Sequence, residues 1–218
     1  MTFNETTIPV YYQAVKLMFS GRPVGEGMLA LERSAREMAP HPVWDRLRRV
    51  DYAGAQAALT TWIDYAVASR PADVAILFFC LSDLGDQMTL FFMRQLHEPA
   101  GTEGSGDDFW GAFDDSRYAD VPAPVLTQMA EIIEAELAVG NDGAYTNPEA
   151  GWIAETCYPL AYAGLAVAQA LQAIPVKTLL GSDARRRVAV FFGEGDDFLL
   201  GEISEAGFHY HPVPAFIA

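Results

Sequence analysis

The sequence predicts a mainly α, single helical domain over residues 1–218, with a small C-terminal β-hairpin that puts it at the margin of the α+β class. Three observations carry that reading. Apolar side chains recur every three or four positions through residues 7–97, which is the helix period. A second stretch, from Val125 to Ile174, is rich in Ala and Leu and has helix start and stop signals at its ends. Only near the C-terminus do two short apolar runs flank a glycine-containing turn, the mark of a hairpin. At 218 residues, 51% of them hydrophobic and 20% charged, the chain can bury about 70% of its unfolded surface and needs no disulfide or metal to fold.

The elements follow in order. Pro9 precedes a helix carrying Val15, Met18 and Phe19. A second helix carries Met28, Leu31, Ala35 and Met38 on one face and stops at Pro40 and Pro42. Val43, Trp44, Leu47 and Val50 make a short amphipathic helix, with Arg46, Arg48 and Arg49 on its wet side. Ala55–Ala68 is the next helix, with Leu59, Trp62, Ile63 and Ala66 on its apolar face, and it ends at Arg70-Pro71. Asp73 is then expected to cap a helix that runs to about Leu96. Its residues Ile76–Leu81 are apolar nearly all round, which places it at the centre of the domain.

Residues 99–124 change character: Gly, Pro and acidic residues dominate, yet Phe109, Trp110, Phe113 and Tyr118 are among them. Disordered linkers seldom carry so many aromatics, so an ordered surface loop is expected. Val125–Val139 resumes as helix and stops at Gly140-Asn141-Asp142-Gly143. Asn147-Pro148-Glu149 starts a further helix by side-chain capping, with proline at the first position. That helix is expected to kink at Pro159 and to end at Ile174-Pro175, forming a second central helix. The hairpin spans 187–203, from Arg187–Phe192 to Phe198–Ile203 about a turn at Gly193–Asp197, and the tail from Phe208 adds an extended segment.

Charge is unevenly placed. The chain holds 14 basic and 29 acidic residues, a net of −15. Residues 1–98 are near neutral, with nine basic and eleven acidic residues, whereas residues 99–218 hold five and eighteen. A phosphate-backbone binder shows a basic face, so neither nucleic acid nor an anionic membrane surface is an expected partner. A negative surface instead steers a basic protein partner and selects it by the sign of the field. The expected contact surface combines the aromatic acidic loop with the hairpin turn. From the loop come Asp107, Asp108, Phe109, Trp110, Asp114, Asp115 and Tyr118; from the turn come Glu194, Asp196 and Asp197. Trp110 would anchor in a partner pocket while the acids supply direction.

Enzyme chemistry finds little support in the motifs, and no catalytic residue, metal ligand or cofactor is assigned. His209 and His211 share a face in a strand, but a firm metal site needs a third and usually a fourth ligand. Gly104-Ser105-Gly106 lacks the strand-to-helix setting of a nucleophile elbow. Cys157 sits in an apolar helix, where burial keeps a thiol protonated. The stretch Gly21–Gly27 lacks the Lys-Ser/Thr pair of a nucleotide loop. Arg185, Arg186 and Arg187 are better placed to neutralise the hairpin acids than to bind phosphate. The alternative reading is a small hydrolase or ligand-binding enzyme, with a carboxylate/His site formed by loop 103–120 and the C-terminal hairpin. Cys80 and Cys157 are expected to be thiols in a reducing compartment. The acidic, non-apolar start of the sequence fits no secretory signal, and a cytoplasmic location is expected.

Residues 105–205 also resemble uncharacterised acidic bacterial proteins of the polymorphic-toxin immunity type. The resemblance rests on Asp108-Phe109-Trp110, on Tyr158-Pro159-Leu160-Ala161-Tyr162-Ala163, on Val188–Phe192, and on Gly195-Asp196-Asp197-Phe198-Leu199-Leu200-Gly201. It implies a non-enzymatic inhibitor that covers the basic surface of a toxin, and it carries over no functional residue.

Overall fold

The structure is a computed structural model that describes residues 6–70, 74–82, 85–93, 118–139, 144–182, 185–192 and 196–217. It is an α+β arrangement in which helices pack on a six-stranded mixed sheet. Four helices open the chain: α1 (Ile8–Met18), α2 (Val24–Met38), α3 (Val43–Leu47) and α4 (Gly54–Ala68). Each lies where the apolar spacing placed a helix, and the α2 residues Met28, Leu31 and Ala35 are all buried.

The β part is larger than the predicted hairpin. Where a central helix is expected over 73–96, the chain forms two antiparallel strands, β1 (Ile76–Leu81) and β2 (Met88–Met93). Six consecutive apolar residues suit a buried strand and a buried helix equally well by pattern. Gly85, between the two strands, has a φ of +65°, a conformation that suits a turn and not a helix interior. The C-terminal region is therefore not the one β region. The strand β3 (Tyr118–Val121) pairs with β2 and forms one edge of the sheet, at the end of the stretch expected to be loop.

The expected hairpin is present as β6 (Arg185–Phe192) and β7 (Asp196–Ser204), after α5 (Pro124–Leu137), a two-residue ladder β4 (Ala138–Val139) with β5 (Ala144–Tyr145), α6 (Pro148–Trp152), α7 (Tyr158–Ala173) and α8 (Val176–Leu180). A final strand, β8 (Gly207–Tyr210), closes the order β3-β2-β1-β6-β7-β8. Parallel pairing of β1 with β6 joins the two halves of the sequence, Ile76 opposite Arg187 through Leu81 opposite Phe192. Parallel strands need a long crossover, and the helices α5 to α8 lie within it.

Side chains of β1 alternate as strand geometry requires. Leu77, Phe79 and Leu81 join the main core with the helices, whereas Ile76 and Phe78 form a small cluster with Met93 on the opposite face. Helix α7 is the hub of the main core. It is buried almost throughout, and its Ala161, Ala163, Gly164, Ala166 and Ala168 let neighbours approach closely. A Cβ on Gly27 of α2 would overlap the Leu165 side chain, and one on Gly164 would overlap Met18 of α1. Two side-chain amides, Gln56 buried and Gln169 half-buried, also cross-link the bundle. Gln56 Nε2 donates to the Ala166 carbonyl at 2.9 Å, and Gln169 Oε1 accepts from the Val24 N–H at 3.0 Å.

The start of α6 is capped as predicted, with Asn147 Oδ1 accepting from the Ala150 N–H at 3.0 Å. The irregularity expected at Pro159 is a π-helical turn, Ile153–Cys157, between α6 and α7. Proline has no N–H to donate, so the helix widens by one residue on its approach. The β1–β2 turn rests on this junction, because a Cβ on Gly85 would come within 2.7 Å of Pro159 Cγ.

Candidate functional site

Most of the residues assigned to a partner surface, Asp107, Asp108, Phe109, Trp110, Asp114, Asp115 and Glu194, lie outside the described residues. Tyr118 is 52% exposed on the edge strand β3, with its ring 5.8 Å from Phe91. Asp120 follows two residues on, also exposed, and accepts from Thr89 Oγ1. Asp196 and Asp197 open β7, opposite Phe192 and Phe191. His209 is exposed on β8 opposite Glu202, so roughly 15 Å of strand separates it from Asp197. The hairpin therefore does not bring His209 and the two aspartates together. Among the described residues, no three His, Cys, Asp or Glu side chains converge as metal ligands. Cys157 is fully buried and apolar surroundings push its thiol up, which leaves it protonated at neutral pH. Cys80 and Cys157 form no disulfide.

A built concavity lies elsewhere, in the near-neutral first half. A cleft of about 560 Å³ opens between the start of α2, the α3–α4 connection and the first residue of α7. Its apolar wall comes from Pro23, Met28, Leu29 and Val50. Its polar groups are Glu26, Arg48 and Asp51, all exposed, and Glu32, Tyr52 and Tyr158, all buried.

Each buried group is held by the local fold. Glu32 sits on the core face of α2, one turn after Met28, and is only 5% exposed. Its Oε1 accepts from Arg36 Nε at 2.8 Å, and Arg36 in turn donates through Nη2 to Asp45 at 2.8 Å. Tyr52 donates its hydroxyl to the Leu47 carbonyl at 2.8 Å, which ties the α3–α4 connection to the end of α3. Asp51 accepts from the N–H of Gly54, the first residue of α4, at 2.8 Å. Tyr158 is different. Its ring stacks on Trp44 at 5.5 Å and 14°, it is 1% exposed, and its hydroxyl has no hydrogen-bond partner among the described residues. Burial raises its phenol well above the usual range, with Tyr52 and Glu32 adding to the rise. Tyr52 and Glu32 line the cleft together with Tyr158, so a residue with a buried, unpartnered hydroxyl forms part of its wall.

No protein-family model, curated protein or solved structure matches the chain.

Sequence reasoning missed this cleft because it sought motifs and charge runs. The signal was nonetheless present: Glu32 interrupts the Met28, Leu31, Ala35 stripe at a core position, and Tyr158 and Tyr162 place two hydroxyls in an otherwise apolar run. A carboxylate on an apolar helix face is rarely buried without a reason.

Proposed function

We propose that this chain is a non-enzymatic acidic protein-binding module of the immunity type, which inhibits a basic toxin by covering its surface. The observation that supports the reading is the charge asymmetry: 18 of the 29 acidic residues lie in residues 99–218, against five of the 14 basic ones. Described acids of that half stand in solvent, among them Asp120, Glu131, Glu134 and Glu205. Among the described residues, the ion pair that reaches into it is Arg46 with Glu136 at 3.1 Å, and it is half-exposed. A surface of this sign accelerates encounter with a basic protein and weakens as salt screens it. Tyr118, exposed beside Asp120 on the sheet edge, extends the aromatic and acidic character of the preceding sequence into the fold.

The test is affinity capture from the source lysate at low and high salt. It is repeated with a variant carrying Asp107→Ala, Asp108→Ala and Trp110→Ala. A stoichiometric basic partner that is lost as salt rises, and lost in the folded triple variant, is the expected result. Undiminished capture by the triple variant would remove residues 107–110 from the binding surface, and no salt-sensitive partner would refute the module.

A further inference from the structure

We infer that the cleft between α2, the α3–α4 connection and α7 is a binding site for a small organic cation, an ammonium on an apolar body. This goes beyond the proposed partner surface and does not depend on it, because the cleft lies in the near-neutral half of the chain.

Three features define the ligand. The first is charge: Glu26, Glu32 and Asp51 line the cleft against Arg48 alone. Glu32 is 5% exposed, and a buried carboxylate is retained only where cations satisfy it. Arg36 already meets one of its oxygens, Oε1. The second is Tyr158, a lining residue that is 1% exposed and whose hydroxyl has no partner among the described residues. An orphaned buried hydroxyl costs stability unless a ligand completes it, and a phenol oxygen accepts well from an N–H donor. Tyr52, whose hydroxyl donates to the Leu47 carbonyl, keeps its oxygen lone pairs and can accept from the same ammonium beside Tyr158. The third is the wall of Met28, Leu29 and Val50, which fits a hydrocarbon body. A volume near 560 Å³ falls in the range of small-molecule sites, so one aromatic ring with a short amine tail fits inside it. The ammonium would donate to Glu32 and to Tyr158 together. Glu26 and Asp51 at the mouth raise the local concentration of cations.

The experiment titrates the full chain with phenethylamine at neutral pH, where it is an ammonium, and reads melting temperature and amide chemical shifts. Phenethyl alcohol and 3-phenylpropionate, of similar shape but neutral or anionic, serve as controls. The expected result is a concentration-dependent rise in melting temperature with the amine alone, and shifts confined to residues 23–32, 48–53 and 158. Tyr158→Phe and Glu32→Gln should each weaken binding about tenfold or more, the loss expected for a hydrogen bond to a charged group. Glu32→Gln disturbs the Arg36 pair and could unfold the protein; Tyr158→Phe leaves that pair alone and decides the matter if it does. A blocked lysine tripeptide tests the other source of the same cation, a protein side chain. If the tripeptide binds more tightly than phenethylamine, a free amine is overturned as the ligand. Equal response to the alcohol, no response to the amine in the folded chain, or full amine binding by Tyr158→Phe would each overturn the site.

Discussion

Tyr158→Phe tests the reading of the cleft through stability alone. The hydroxyl is removed from a residue that is 1% exposed and makes no hydrogen bond, while the ring keeps its stacking on Trp44. Leaving a buried polar group unsatisfied costs about 1–3 kcal/mol, and deleting it without changing shape recovers part of that. The loss of one small atom's dispersion contacts works the other way, at a few tenths of a kcal/mol. The unliganded protein should therefore gain about 1 kcal/mol, which in a chain of this size raises the melting temperature by roughly 2–4 °C. Urea denaturation at pH 7, followed by circular dichroism and tryptophan fluorescence, should show a higher midpoint at an unchanged slope. A variant less stable than the parent would refute the reasoning, since the hydroxyl would then be making a bond.

Other consequences can be checked alongside it. Gly27→Ala drives a methyl into Leu165 at the α2–α7 crossing and should cost about 1–3 kcal/mol, measured by the same denaturation; simultaneous Leu165→Ala should relieve the clash and recover part of that cost. Gly85→Ala faces both a φ of +65° and Pro159, and should lower the melting temperature more than an alanine at Gly25, which has open space around it. Asn147→Ala removes the cap of α6 and should cost about 1 kcal/mol. Burial raises the phenols of Tyr52, Tyr158 and Tyr162, the last to about 12. An acid whose folded pKa lies above its unfolded value stabilises the fold fully below pH 10 and less as pH rises above it. Each such tyrosine should thus reduce stability by about 1.4 kcal/mol per pH unit above pH 10, up to its folded pKa, which denaturation between pH 9 and 12 measures.

The sequence showed the helices most clearly where polar and apolar residues alternate with the helix period. In α2 the stripe at Met28, Leu31 and Ala35 has a wet opposite face, so only one secondary structure satisfies it. Asn147-Pro148 marked the start of α6 because capping and proline geometry are local. The run Ile76–Leu81 has no wet face to read. Its state is decided by β6, more than a hundred residues away, which supplies its parallel partner. The cleft was hard to see for the same reason. Glu32, Tyr52 and Tyr158 are ordinary residues in their own segments, and the packing of α2, the α3–α4 connection and α7 brings the three to one cleft.

The pairing of β1 with β6 also sets a schedule for the ribosome. β1 and β2 can meet as soon as they are made, but the other edge of β1 is matched only by residues 187–192. At about 5–20 residues per second, the intervening stretch takes roughly 5–20 s to synthesise. Throughout that interval Leu77, Phe78 and Phe79 sit on an unpaired, strongly apolar edge strand, the kind of surface on which nascent chains associate. Chains that stop before β6 should accordingly be captured by chaperones or lost to aggregation, even though every residue of the first four helices is already present.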